Sequence, residues 1–219
     1  MAAWRRYGAP HAGQGLLAAA PAANAVTSGT TYFATNVGPH GTLLQSNGTR
    51  WRGLNGAPIC MKLADPVTGI TNTPVIALQA LFPIGLLQAG DMVLFDMTTS
   101  KSGTTDSCGL TCRWGTAGTT ADGIITGWSS QTYMGASNVS GGGQQAIRIV
   151  STTSIAKVGN NTASAASYTT PAGTGAAAAA TTALPDSAAN ALYLSVVLFS
   201  TGASNTVDMT SGRVTLATP

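Results

Sequence analysis

The residues able to do chemistry are few, and their spacing serves none of the usual sites. Cys60, Cys108 and Cys112 are the only thiols, His11 and His40 the only imidazoles, and all seven acidic residues are Asp. If Cys108 and Cys112 share a strand, their Cα atoms stand about 13 Å apart at roughly 3.3 Å per residue, beyond the reach of a disulfide. The cysteines then read as small reduced core hydrophobes. Zinc is disfavoured because both histidines lie far upstream of Cys108 and Cys112 with no ligand-type spacing. A Ser-His-Asp relay has no base other than His11 or His40, and His40 sits in the turn-like Gly38-Pro39-His40-Gly41. Glycan cleavage needs a carboxylate pair, here from Asp91, Asp96, Asp106 or Asp122. Of these, Asp91, Asp106 and Asp122 stand among turn formers, where Asp hydrogen-bonds to its own backbone. No glycine cluster leads into the Lys-Ser/Thr and helix of a phosphate site, and no acidic run has the ligand order of an EF-hand. The expectation is a protein with no catalytic residue, no metal and no cofactor.

The elements around these residues are strands. In Pro83–Ile125, Val93, Phe95 and Met97 share one face of a first strand, and Cys108, Leu110, Cys112 and Trp114 share one face of a second, the period-two pattern of half-buried β-structure. The polar link TTSKSGTTDS between them predicts a long-looped pair inside one sheet. Further strands are expected at Gly123–Trp128, Gln145–Ser151, Leu192–Ser200 and Arg213–Ala217. Leu192–Phe199 is apolar on both faces, which requires a cover on each side; a neighbouring subunit would supply the second. Gly141–Gly143 reads as a flexible loop, and Ala163–Ala183, rich in Ala, Ser, Thr and Gly, as a loop excursion. About seven short strands with glycine-rich turns and no amphipathic helix predict an all-β antiparallel sandwich over residues 59–219. Ahead of it come an extended arm, residues 1–25, and a small β-hairpin unit, residues 26–58. Asn47-Gly48 between β-prone runs predicts a tight type I′ turn, with Trp51 on one face of the following strand and Arg50 and Arg52 on the other.

Charged residues make up 8% of the chain, against roughly 25% in an average soluble protein, so Ser, Thr, Asn, Gly and Ala must form the surface. A surface with so little charge resists association poorly, which points to self-assembly or covering partners. The net charge of +3 is scattered apart from Arg5-Arg6 and Arg50/Arg52, so nucleic acid is not an expected partner. No apolar run approaches the roughly 20 residues that span a bilayer, and none predicts membrane insertion. Gly8, Pro10, His11, Gly13 and Gln14 interrupt the place where a secretory leader would need its apolar core, so synthesis in the cytoplasm is expected. In the arm, Trp4, Arg5, Arg6 and Tyr7 are candidate attachment anchors, since aromatic and Arg side chains dominate interface energetics. Trp128, Tyr133 and Tyr168 are candidate receptor-contact residues in loops.

The string GTLLQSNGTRWRGLNG, residues 41–56, with Asn47, Gly48, Thr49, Arg50 and Trp51 at its centre, resembles a short element of tail-fibre and other appendage proteins of tailed bacteriophages. The stretch from Leu86 to Asp122 is similar, less specifically, to jelly-roll-like domains at the ends of such appendages. The resemblance implies a virion structural protein rather than an enzyme. It would be a fibre or tail/baseplate appendage subunit, a homotrimer joined to other virion proteins through its N-terminus, presenting a jelly-roll-like head to a host-surface glycan or protein. A capsid decoration protein or head fibre is the alternative within that class, and a carbohydrate-binding module the alternative outside it.

Overall fold

A computed structural model describes residues 10–105, 108–125, 131–133, 139–158 and 181–218. The described residues build three sheets. The first holds β1 (His11–Gly15), β2 (Thr31–Ala34), β3 (Thr42–Ser46) and β4 (Trp51–Gly53), in the order β1-β2-β3-β4. The β2–β3 and β3–β4 pairs are antiparallel, whereas β1 runs parallel to β2. A parallel pair needs a crossover, here residues 16–30 with 3-10 turns at Leu17–Ala19 and Ala23–Ala25. This crossover is anchored: Ala23 is buried, and the Ser46 hydroxyl donates to the Ala23 carbonyl at 2.8 Å. The extended arm expected over residues 1–25 is therefore folded from His11 onward, because its backbone groups find partners on β2 and β3.

The rest of the described chain forms two larger sheets. The strands are β5 (Ile59–Ala64), β6 (Val67–Ile70), β7 (Val75–Phe82), β8 (Met92–Ser102), β9 (Cys108–Gly115), β10 (Gly123–Ile124), β11 (Gln131–Tyr133), β12 (Val139–Ser151), β13 (Ser154–Val158), β14 (Thr181–Ala183), β15 (Leu192–Ser200) and β16 (Thr206–Ala217). One sheet runs β14-β13-β12-β8-β16-β5, with β6 also on β16; the other runs β10-β9-β15-β7, with β11 also on β9. All pairs in both are antiparallel. The chain is all-β, as expected, and its antiparallel sheets are compatible with a sandwich.

Alternation along the strands makes the core. Val93, Phe95 and Met97 of β8, Ile147 and Ile149 of β12, and Val214 and Leu216 of β16 join Leu110, Cys112 and Trp114 of β9 and Leu192, Leu194 and Leu198 of β15 in one buried cluster. Each such side chain contributes about 1.5–3 kcal/mol by leaving water. β8 alternates as predicted, whereas β9 buries the predicted Cys108, Leu110, Cys112 and Trp114 but also Gly109 and Thr111 of the other face, and the two strands do not share a sheet. β8 is flanked by β12 and β16, and β9 by β15 and the β10/β11 edge, so the link between them crosses from one layer to the other. Both strands bury their odd-numbered or even-numbered apolar set against the opposite layer, and that face pattern is the same whether two strands are neighbours or face each other.

Gly141–Gly143 also differs from expectation. These residues lie within β12, opposite Thr99, Thr98 and Met97 of β8, because the ladder offered by β8 fixes a backbone that glycine alone would leave free. The second face of β15 is covered in part within the single chain: Ser195 and Val197 are buried, Tyr193 and Phe199 are half-buried, and residues 116–122 fold back over this side of the sheet. Gln79 Nε2 donates to both the Gly118 carbonyl and the Ser195 hydroxyl at 2.8 Å, and the Asp122 carboxylate accepts from the Gly118 and Thr119 amides. A Cβ at Gly118 would stand 2.9 Å from the Tyr193 ring, so glycine is what lets this loop lie flat. The loop thus supplies from within the chain part of the cover expected from a neighbouring subunit.

The three cysteines are free. Burial pushes the Cys112 thiol far up and the Cys108 thiol to about 11, the latter moderated by the Lys101 charge, so neither forms a reactive thiolate near neutral pH. Cys60 is half-buried. Thiol labelling of the native protein should therefore modify Cys60 alone, with Cys108 and Cys112 reacting at least about 100-fold more slowly until the chain is unfolded; mass spectrometry of the labelled peptides reads this out.

Candidate functional site at the junction of the two units

The Asn47-Gly48 hairpin is present, with a longer loop than a two-residue type I′ turn. Ser46 pairs with Trp51, leaving Asn47–Arg50 as the loop. Asn47 Oδ1 accepts from the Thr49 amide at 3.0 Å, the Thr49 hydroxyl at 2.8 Å and the Arg50 amide at 2.9 Å. Gly48 takes a φ of +90°, and its amide donates to the Ser46 hydroxyl. An Asn side chain can replace a backbone acceptor in this way, so one glycine with positive φ suffices where a type I′ turn needs two such residues.

The loop aims Arg50 and Trp51 in different directions. Trp51 Nε1 donates to the Pro21 carbonyl at 2.9 Å, and its ring packs on Tyr32 with centroids 5.8 Å apart. Arg50 leaves its own sheet and meets Asp91, in the turn before β8. Its Nη2 lies 2.6 and 2.7 Å from the two carboxylate oxygens, with the side chains 10% and 0% exposed. Asp91 is tied further into the sandwich: its carboxylate accepts from the Gln88 amide at 2.9 Å, and its carbonyl accepts from the Ile149 amide. Arg52 makes a second tie, donating to the Thr218 carbonyl at 3.2 Å. Burial pushes the Asp91 carboxyl above its usual range, and it outweighs the Gln88 amide and the Arg50 and Arg52 charges that pull the other way.

Beside the ion pair, a cleft of about 200 Å³ opens between the N-terminal sheet and the turn that follows β7. Leu17, Pro21, Trp51 and Ile84 wall it, with Gln88 and Arg50 as polar lining. The opposite end of the sandwich is built from loops. The registers Ser102↔Thr206 and Ser200↔Cys108 bring residues 103–105 and 201–205 together there, and the Thr104 amide and hydroxyl both donate to Asn205 Oδ1. Buried Lys101 donates to the Thr104 carbonyl.

The expected site residues separate accordingly. Asn47, Gly48, Thr49, Arg50 and Trp51 come together at the junction. Tyr133 is placed by its pairing with Cys108 at the opposite, loop-bearing end. Trp4, Arg5, Arg6, Tyr7, Trp128 and Tyr168 lie outside the described residues, as do Asp106 and most of the Ala163–Ala183 segment. Asp96 pairs with Arg213 across β8 and β16 at 3.0 Å, and Asp122 holds the loop over β15. Among the described residues, no three His, Cys or Asp side chains gather in a way that could hold a metal. Asp91 as the partner of Arg50 was not foreseen; 41 residues separate the two, and the only local signal was an arginine pair flanking a tryptophan. Compared with protein-family models, with curated proteins and with solved structures, the chain finds no match.

Proposed function

We infer that the protein is a non-enzymatic structural subunit of a tailed-bacteriophage virion. In this reading it is a fibre or tail/baseplate appendage that attaches through its N-terminal unit and presents the sandwich loops to the host surface. The observation that supports this most is the two-ended build. The N-terminal sheet is clamped to one end of the sandwich through Arg50 and Asp91, while residues 103–105 and 201–205 meet at the other. The clamp gives an attachment unit a stiff connection to what it carries. The carboxylates also favour a structural reading, because Asp91, Asp96, Asp122, Asp186 and Asp208 each make a fold-holding bond. Exposed Leu63 and Leu81, with the low charge of the chain, support association into a homotrimer.

Two deletions test the attachment. Removing residues 1–9 should leave a folded protein, since the first described strand begins at His11, but one that no longer joins particles. Removing 1–25 should also unfold the N-terminal sheet, because it takes β1 and the Pro21 and Ala23 carbonyls with it. Normal incorporation of the 1–9 deletion would refute the anchor. Labelled particles viewed by electron microscopy decide placement: label on the tail supports the appendage, and label on the head replaces it with a capsid decoration protein or head fibre. A stable monomer at micromolar concentration in light scattering would sink the trimer.

A further inference from the structure

We propose that the cleft beside the Arg50–Asp91 pair is a binding site for one carboxylate-bearing sugar ring, a uronic acid residue of a glycan. It is independent of where the protein sits on a particle, and it lies away from the loop-bearing end. Three features converge on it. Its volume of about 200 Å³ suits a single ring-sized group. Its aromatic wall is preorganised: Trp51 is fixed at its nitrogen by Pro21 and backed by Tyr32, and an immobile indole is the surface on which a pyranose face packs, apolar C–H groups against the ring.

The third feature is an arginine with donors to offer. Arg50 is nine-tenths buried and lines the cleft. Among the described residues only its Nη2 has hydrogen-bond partners, both on Asp91, and its Nε is buried with none. Its Nη1 has no partner among the described residues either and, unlike Nε, is not closed off from solvent, so Nη1 is the donor that an acceptor entering the cleft would meet, in a charge-assisted bond. The sign of the local charge selects that acceptor. Arg50 and Arg52 both act on the single carboxylate of Asp91, so the three groups leave one positive charge in excess, and an anionic oxygen is favoured over a neutral one. Gln88 on the lining adds a side-chain amide that can both donate and accept. A peptide fits less well: extended peptides are usually held by a sheet edge, and this cleft is bounded by two 3-10 turns, a hairpin loop and the turn after β7.

The test uses the full chain and two probes, sodium glucuronate and glucose, followed by NMR on the Trp51 indole N–H. A site of this size holding some thirteen heavy atoms should bind glucuronate with a Kd of about 0.1–1 mM, from the affinity available per ligand atom, and glucose at least about tenfold more weakly. Raising the salt should weaken the glucuronate shift. Ile84→Glu places a like charge on the cleft wall at a side chain that is 43% exposed, so the fold should survive and glucuronate binding should be lost. Ile84→Ser, with the same loss of apolar wall and no charge, should retain most of it. Equal binding of the two sugars, binding unchanged by Ile84→Glu, or no saturable shift up to about 10 mM glucuronate would each overturn the proposal.

Discussion

Replacing Arg50 with methionine is expected to cost about 3–5 kcal/mol of stability near pH 8, because it leaves Asp91 charged, fully buried and without its cation. The penalty should shrink in acid, and its sign follows from the carboxyl. In the unfolded chain Asp91 titrates near 3.8, and in the folded chain burial already raises it. Between those values the native state binds more protons than the unfolded state, so stability falls as pH rises through the folded value. Removing Arg50 takes away one of the interactions that hold the carboxyl down. The decline then continues to higher pH, at about 1.4 kcal/mol per pH unit. Urea unfolding at pH 5 and pH 8 measures the difference, and a loss equal at both would contradict this account. The double variant Arg50→Met/Asp91→Leu should recover most of the loss, since a well-packed apolar pair often does as well as a buried ion pair or better by about 1–4 kcal/mol.

The second large effect lies in the core. Trp114→Ala should destabilise by about 3–5 kcal/mol through lost burial and the cavity left behind. Trp114 packs on Phe82 with ring centroids 5.4 Å apart, so Phe82→Ala should cost a similar amount. The two together should fall short of additivity by about 0.5–1.5 kcal/mol, the coupling of an aromatic pair. Trp114→Phe discriminates burial from hydrogen bonding. Among the described residues the indole nitrogen is buried with no hydrogen-bond partner, and deleting an orphan donor offsets part of the lost area. This variant should stay within about 1 kcal/mol of the parent. A Trp114→Phe loss as large as that of Trp114→Ala would mean that the nitrogen has a partner that matters.

Inward faces were legible because alternation is a local property: Val93, Phe95 and Met97, and Cys108, Leu110, Cys112 and Trp114, are buried as their pattern required, whereas the burial of Gly109 and Thr111 on the other face of β9 comes from packing that alternation does not encode. Which strands stand side by side was not. The link between β8 and β9 looks like a hairpin loop in composition, and only the ladders with β12, β16 and β15 show that it passes between layers. Gly141–Gly143 was misread for the same reason, since its order comes from a partner strand and not from its own residues. The arm was misread from His11 on because its Gly- and Ala-rich sequence buries little, and its contribution is backbone hydrogen bonding. At the junction, Asn47–Trp51 stood out in the sequence, whereas Asp91 looked like any turn aspartate. Its role depends on a packing arrangement between two units that no local spacing encodes.

The place of β16 constrains how the chain is made. It follows the other described strands in the sequence, yet it lies between β8 and the β5/β6 edge, pairing residues near 215 with residues near 60 and 94. Until residues 206–217 have emerged from the ribosome, β8 and β5 each carry an unpaired ladder with apolar side chains on the face meant for the core. Such open edges are prone to pair with other chains, and closing contacts so distant in sequence is slow. The sandwich therefore cannot close before β16 has been made, and a nascent chain stalled before Thr206 is expected to aggregate rather than wait.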